Sequence, residues 1–383
     1  MGVSGALADA VGGTPEVAPR RQIQPLTGVR GLAALWVAGC HLVAEPGLAT
    51  GLAARILARG YLAVDLFFIL SGFVMALNYG HLFRRRVRAA VFGRFLILRL
   101  ARLYPLYGSI LLLRFAYTAL RYGSFDLPRP WIAAPLPHPA IDLPANVLLV
   151  QSWGIAKSSI GPAWSVSTEW GAYMVFPALA MLGLWRGRRA ALATAMAAAV
   201  LLSTTALLDT APAYHAGLLD AYDGRTLGPL MRCLGGFTVG VLTWRLSHWA
   251  PIIRLCGLSP PCVLIAALLI GGVATGAADF AVFLLFPAMV LCLACGTNRV
   301  TRLLASAPVV WLGEISYSIY LLHIFLLHPT HVTSAAAHRL LPGHAAEALS
   351  LAVTFGMLLI AADLSWRCIE QPGRRLIRRV APR

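Results

Sequence analysis

Long apolar runs, separated by short clusters of arginine, set the pattern of this chain. Windows of about twenty apolar residues match the length of helix that crosses a bilayer's hydrocarbon. They predict ten such helices, over residues 29–48, 60–79, 101–120, 162–185, 189–208, 228–247, 261–276, 278–296, 309–329 and 346–367. Arginines then give direction. Arg20 and Arg21, the run Arg84 to Arg94, the group Arg186 to Arg189, Arg245 with Arg254, Arg299 with Arg302, and the tail from Arg374 all fall on one side of a ten-span chain. The opposite connections hold Asp126, Asp142, Asp209, Asp220 and Asp223. Basic loops face the cytoplasm, so both termini are expected there, and a miscounted helix would break the alternation. The expected fold class is an all-α, polytopic membrane helical bundle of about ten transmembrane helices with cytoplasmic termini.

Composition agrees with that pattern. Of 383 residues, 58% are hydrophobic and 12% charged, and the mean hydropathy is +0.73. A soluble domain carries about twice that charged fraction. The net charge of +17 would suit nucleic acid if it covered one face. Here the charge sits between apolar runs, so nucleic acid is not an expected partner and the lipid bilayer is. Residues 1–24 lack the apolar core of a signal peptide and predict a disordered cytoplasmic tail. Residues 25–375 form one transmembrane domain without an internal repeat, and 376–383 a short basic cytoplasmic tail. Six of the seven cysteines lie in apolar stretches, so no disulfide framework is expected and Cys292-Leu293-Ala294-Cys295 reads as buried packing. Within the proline-rich external segment 121–161, the Val147–Val150 run is too short to span. It is expected at the membrane interface or plugging a cavity.

Ionisable residues inside the apolar windows are where chemistry is expected, because hydrocarbon penalises them by a few kcal/mol each. Arg30 and His41 share the first helix, about 16 Å apart at 1.5 Å of rise per residue. On the expected topology Arg30 lies at the cytoplasmic side and His41 in the outer part. Asp65, Glu169, His323, Arg114 and Arg232 fall at a similar outer depth on other helices, which predicts one shared polar cavity. For Arg114 and Arg232 a structural salt bridge competes evenly with that reading. For His41 the preferred role is general base, with Asp65 or Glu169 orienting the imidazole. At the cytoplasmic start of the third helix, Arg99 and Arg102 sit three apart on one helical face, on the same side as Arg30. Guanidinium groups suit phosphate, so phosphate binding is preferred here over membrane anchoring.

These segments resemble acyltransferase family 3, the bacterial multi-span membrane O-acyltransferases, over about residues 23–375. Arg30 to His41 matches its R-x10-H element. Gly60 to Phe73, which contains Asp65 and Ser71, is similar to G-x-x-x-V-D-x-F-F-x-x-S-G-F. Arg99 to Pro105 resembles R-x-x-R-x-x-P, and Trp164 to Pro177, with Glu169 and Tyr173, resembles W-S-x-S-x-E-x-x-x-Y-x-x-F-P. Ser316 to His323 matches S-Y-S-x-Y-L-L-H, and Glu370-Gln371-Pro372 the closing E-x-P. The order of all six elements makes the match specific.

The resemblance implies transfer of an acyl group, usually acetyl, from acyl-coenzyme A to a hydroxyl of a carbohydrate such as a surface polysaccharide or glycolipid, in the bacterial cytoplasmic membrane. His41 would be catalytic together with Glu169 and Asp65. Arg30, Arg99, Arg102, Tyr173, Ser71, Trp164 and His323 would meet substrate, with neither a metal nor a tightly bound cofactor. Where members often carry two adjacent acids, this chain has Glu169 followed by Trp170, so the second acid's contribution is unfilled. No hydrolase-like domain of the kind some relatives carry follows the membrane part, so acceptor binding is expected from membrane-domain loops or a partner.

Two other classes compete. A transporter of an acyl donor or small anion would also place charge at mid-depth, but commonly shows an internal repeat. A zinc enzyme would draw on His328, His331, His338 and His344, with Glu347 as the nearby acid.

Overall fold

A computed structural model describes residues 22–42, 51–122, 138–208, 217–222 and 224–380. The expected tail up to residue 21, the end of the first window, residues 123–137, Asp209, Asp223 and residues 381–383 lie outside them. Among the described residues every regular element is helical. In chain order these are α1 (Gln24–Leu42), α2 (Gly51–Ala58), α3 (Ala63–Tyr79), α4 (Ala89–Tyr122), α5 (Pro139–Val147), α6 (Trp164–Leu179), α7 (Gly187–Leu207), α8 (Gly228–Leu246) and α9 (Ala250–Gly257). There follow α10 (Ser259–Thr275), α11 (Asp279–Cys295), α12 (Arg299–Leu304), α13 (Ala307–Glu314), α14 (Ser316–Leu322), α15 (Leu327–Leu340), α16 (Gly343–Ser365) and α17 (Gln371–Val380).

Each apolar window holds a helix or a bent helix pair. Among the described residues, three stretches taken singly are long and apolar enough to cross a membrane: Gly51–Phe83, Ala89–Leu120 and Gly343–Val380. Two bent pairs raise the number to as many as five: α9 with α10, turning by 79°, and α13 with the stretch beginning at α14, turning by 51°.

Small residues decide which helices meet. Gly72 of α3 lies against the Phe237 carbonyl of α8, and Gly240 of α8 against the Ile69 carbonyl of α3. A Cβ on either glycine would enter the partner's backbone. Such reciprocal contact lets two helices approach without a driving force from lipid, and it holds α3 and α8 in register. A second crossing sets Gly31 of α1 against the backbone of Leu312 and Gly313, while Gly313 packs on Thr27.

That second crossing coincides with the α13–α14 bend. A break in a helix frees carbonyls that must find donors away from water. Here the Gly313 carbonyl accepts from Arg30 Nη2 at 2.6 Å, Arg30 Nε at 3.2 Å and Ser316 Oγ at 2.8 Å. Arg30 therefore supports the bent helix as well as lining the cavity described below.

The segment after α5 packs inward. Asn146 is fully buried; its amide donates to the carbonyls of Asp142 and Lys157, and its Oδ1 accepts from the amide and hydroxyl of Ser159. Its own carbonyl accepts from Tyr107 of α4 at 2.7 Å, and Ser167 of α6 donates to the Leu149 carbonyl at 2.9 Å. Within the Val147–Val150 run, Leu149 is buried whereas Leu148 is exposed. The run thus sits wedged against α4 and α6. All seven cysteines are free thiols, and Cys256, Cys262 and Cys292 are packed together.

Candidate active site

A cavity of about 360 Å³ runs between α1, α3, α4, α6 and α14. One end lies beside Gln22, Ile23 and Arg374, on the arginine-rich side of the chain; the other reaches Ser165 and Tyr320. The wall has a carboxylate at its centre. Glu169 Oε1 accepts from the hydroxyls of Ser71 and Tyr173, each at 2.5 Å. Both hydroxyls come from turns that place them on one face, Ser71 on α3 and Tyr173 one turn beyond Glu169 on α6.

Two arginines of α4 face the same cavity. Arg99 is buried, with Nη2 donating to the Tyr79 hydroxyl at 2.5 Å and the guanidinium lying over the Tyr79 ring at 4.6 Å. Phe95 and Tyr173 rings flank it, each 5.9 Å away. Arg102 donates to Glu370 Oε2 at 2.8 Å and lies over Tyr317 at 5.2 Å. The buried Glu370 also accepts from Arg374 at 2.6 Å and from Ser318 at 2.5 Å. Arg102 thus shares its counterion with a second arginine at the cavity's basic end.

Beyond the far end stand two histidines. His41 and His323 have ring centroids 4.9 Å apart, and the Tyr320 ring is 6.0 Å from His323. His41 Nδ1 lies 3.0 Å from the Val37 carbonyl. A carbonyl only accepts, so Nδ1 donates to it, and in the neutral ring Nε2 then holds the lone pair. That tautomer is the one able to take a proton at Nε2.

A family model and one curated relative name the same class. A family model described as an acyltransferase domain, acyltransferase family 3, matches residues 24–366. The chain belongs to acyltransferase family 3. It is an acyltransferase of a membrane-associated family, transferring groups other than aminoacyl. Among curated relatives, the acyltransferase MdmB of Streptomyces mycarofaciens is 29% identical, over 94% of each chain. Protein 2 in the picA locus of Rhizobium radiobacter is 37% identical over 38% of this chain and 75% of its own. No solved structure matches the chain significantly.

Against that family the expected site residues divide. Arg30, Ser71, Arg99, Arg102, Glu169 and Tyr173 all line the acyltransferase's cavity. Of the six ionisable groups expected to share one cavity, Glu169 alone lines this one. Asp65 is fully buried and engaged by Arg232: Nε donates to Oδ1 at 2.9 Å and Nη2 to Oδ2 at 2.8 Å. The same guanidinium donates to the carbonyls of Tyr61 and Ala221. Neither Asp65 nor Glu169 orients His41; the Val37 carbonyl does. The reason is local, since an imidazole on a helix reaches the carbonyl four residues back, while Asp65 is taken by Arg232 of α8 and Glu169 by Ser71 of α3 and its own helix's Tyr173. Trp164 faces Arg232, its ring 5.4 Å from the guanidinium, and Phe68, at 6.1 Å. Arg114 sits two turns past Tyr107 on α4. Among the described residues no group of three or more His, Cys, Asp or Glu is arranged to hold a metal, and His344 pairs with Glu347 at 2.9 Å on the surface.

Two features escaped the sequence. Glu370 is the carboxylate that gathers Arg102, Arg374 and Ser318; its E-x-P setting marked the position without its partners. Asp279 accepts from Arg59 at 2.5 Å, from Tyr61 at 2.8 Å and from the Leu219 amide at 2.9 Å, pinning the 217–222 segment to α11. An aspartate at the start of a helix, opposite an arginine before another, was the available signal.

Proposed function

We propose that this acyltransferase is an integral protein of the bacterial cytoplasmic membrane, with ten spans and both termini in the cytoplasm, and that it O-acetylates a carbohydrate. The donor is acetyl-coenzyme A, and the acceptor is a hydroxyl of a surface polysaccharide or glycolipid. The observation that carries this reading is the alignment of a basic-ended cavity with a base-competent histidine beyond its far end. A cavity of about 360 Å³ is at the small end of ligand sites, roughly 300–1,000 Å³. It suits the pantetheine arm and acetyl group, and leaves the nucleotide at the basic mouth.

In this reading Arg102 and Arg374 meet the donor's phosphates, drawing partly away from Glu370. Arg30 and Arg99, held in the wall, give the arm a fixed positive lining. Ser71, Glu169 and Tyr173 form a hydroxyl–carboxylate cluster along the arm's path. At the outer end His41 Nε2 takes the acceptor's proton as its oxygen attacks the thioester carbonyl carbon. When the C–S bond breaks, that proton passes to the departing sulfur. The products are an O-acetyl ester and coenzyme A, and no metal or resident cofactor takes part.

Mass spectrometry of surface polysaccharides and glycolipids tests this directly. Cells with the protein should carry a molecule heavier by one acetyl group than cells without it. Identical glycans in both would refute the carbohydrate acceptor. The transporter reading has lost its support, because the family's activity is acyl transfer.

A further inference from the structure

The reaction proposed above assigns the acceptor's proton to His41 and leaves open what stabilises the charge on the acyl carbonyl oxygen. Preorganised donors aimed at such an oxygen commonly supply the largest share of catalysis. Tyr320, at the cavity's end, is not available for it. Its hydroxyl is 2.7 Å from Ser165 Oγ and donates to the Pro162 carbonyl at 3.0 Å. Glu169 Oε1 accepts from Ser71 and Tyr173 and offers an oxyanion no donor.

His323 differs from both. It is fully buried, at 0% exposure, yet neither ring nitrogen has a hydrogen-bond partner. Buried polar atoms are nearly always satisfied, and one that is not calls for an explanation. Location supplies one. His323 opens the single 3₁₀ turn His323–Leu326, where α14 gives way to α15. The turn holds the ring between Tyr320, which lines the cavity, and His41, whose ring is 4.9 Å away. An acetyl group carried from the Tyr320 end of the cavity to His41 would lie beside His323. A neutral imidazole has one N–H to donate, and among the described residues nothing claims it.

We propose that His323 is a second catalytic histidine, whose ring N–H donates to the acyl carbonyl oxygen in the transition state. This assignment rests on the donor and on the His41 role argued under the proposed function. As the acceptor oxygen bonds to the carbonyl carbon, the C=O π pair moves onto oxygen and the His323 N–H binds it. When the carbonyl re-forms, sulfur leaves with its bonding pair and takes the proton held by His41. His323 ends the cycle with its own proton.

The test uses membrane vesicles containing the full-length protein, supplied with labelled acetyl-coenzyme A, and follows label entering membrane glycans. His323→Leu keeps bulk but has no donor; His323→Asn keeps an N–H. Removing two unpartnered polar atoms should leave the Leu variant at wild-type abundance, with heat resistance at least equal. Its KM for acetyl-coenzyme A should be unchanged while kcat falls roughly 10²–10³-fold, the usual loss for one oxyanion donor. The Asn variant should recover at least tenfold of that loss. A Leu variant within threefold of wild-type kcat, one that fails to accumulate in the membrane, or an Asn variant no better than Leu would each overturn the assignment. Wild-type vesicles that transfer no label to glycans would instead sink the proposed donor–acceptor pair, and this assignment with it.

Discussion

Asp65 offers the sharpest separation between a catalytic and a structural carboxylate. It and Arg232 are both fully buried, joined by two charge-assisted hydrogen bonds of 2.9 and 2.8 Å, with Trp164 over the guanidinium. Asp65→Ala leaves Arg232 with an uncompensated buried charge. Breaking one side of such a pair costs about 3–5 kcal/mol, or roughly 10²–10⁴ in the folding equilibrium. Because Arg232 also donates to the Tyr61 and Ala221 carbonyls, part of its solvation survives, and the lower end of that range is expected. Replacing both partners with apolar residues removes the orphan charge, so Asp65→Leu with Arg232→Met should regain most of the lost stability. The assay is protein abundance in the membrane, with the midpoint of thermal aggregation in detergent, alongside acyl transfer per folded molecule. The single variant should be scarce and heat-labile, and the double variant abundant. Wild-type abundance and midpoint for Asp65→Ala, with transfer abolished, would refute the structural assignment.

Three further outcomes follow from the cavity and the arginine pattern. Arg102→Ala should weaken acetyl-coenzyme A binding about ten- to a hundredfold, as expected for a charge-assisted contact of roughly 1.5–3 kcal/mol, with near-normal abundance because Arg374 and Ser318 still hold Glu370. Arg99→Ala, which empties a site among Tyr79, Phe95 and Tyr173, should reduce abundance more than Arg102→Ala does; binding unchanged in Arg102→Ala would make that residue only a partner for Glu370. Reporter fusions after residues 88, 187 and 383 should read cytoplasm and those near 140 and 218 exterior, and an exterior signal at 383 would break the ten-span reading.

What was legible in the sequence was periodic or ordered along the chain. Apolar windows located helices, since burial in lipid or protein demands long runs. The R-x-x-R spacing placed Arg99 and Arg102 on one face, and both line the cavity with Arg30. Partnership was not legible. Nothing in the linear pattern tells that Asp65 will meet Arg232, 167 residues away; the close approach of Gly72 to Phe237 and of Gly240 to Ile69, which sets the register of α3 and α8, decides it. Depth alone therefore grouped six ionisable residues that the packing separates. Arg30 shows the same limit. The α13–α14 bend falls at Ile315, with no proline there, so the carbonyl that claims Arg30 was hidden until the helix was seen to break.

His41 carries the central claim, and conversion to glutamine tests it most directly. Gln keeps a hydrogen-bonding side chain of similar reach but takes no proton at neutral pH. The measurement is the acetyl content of the acceptor glycan in cells expressing wild type or His41→Gln at matched membrane abundance. Loss of a general base lowers the rate roughly 10²–10⁴-fold, so the variant's glycan should match that of cells lacking the protein. An acetyl content close to wild type in His41→Gln cells would contradict the account and leave His41 as a packing residue.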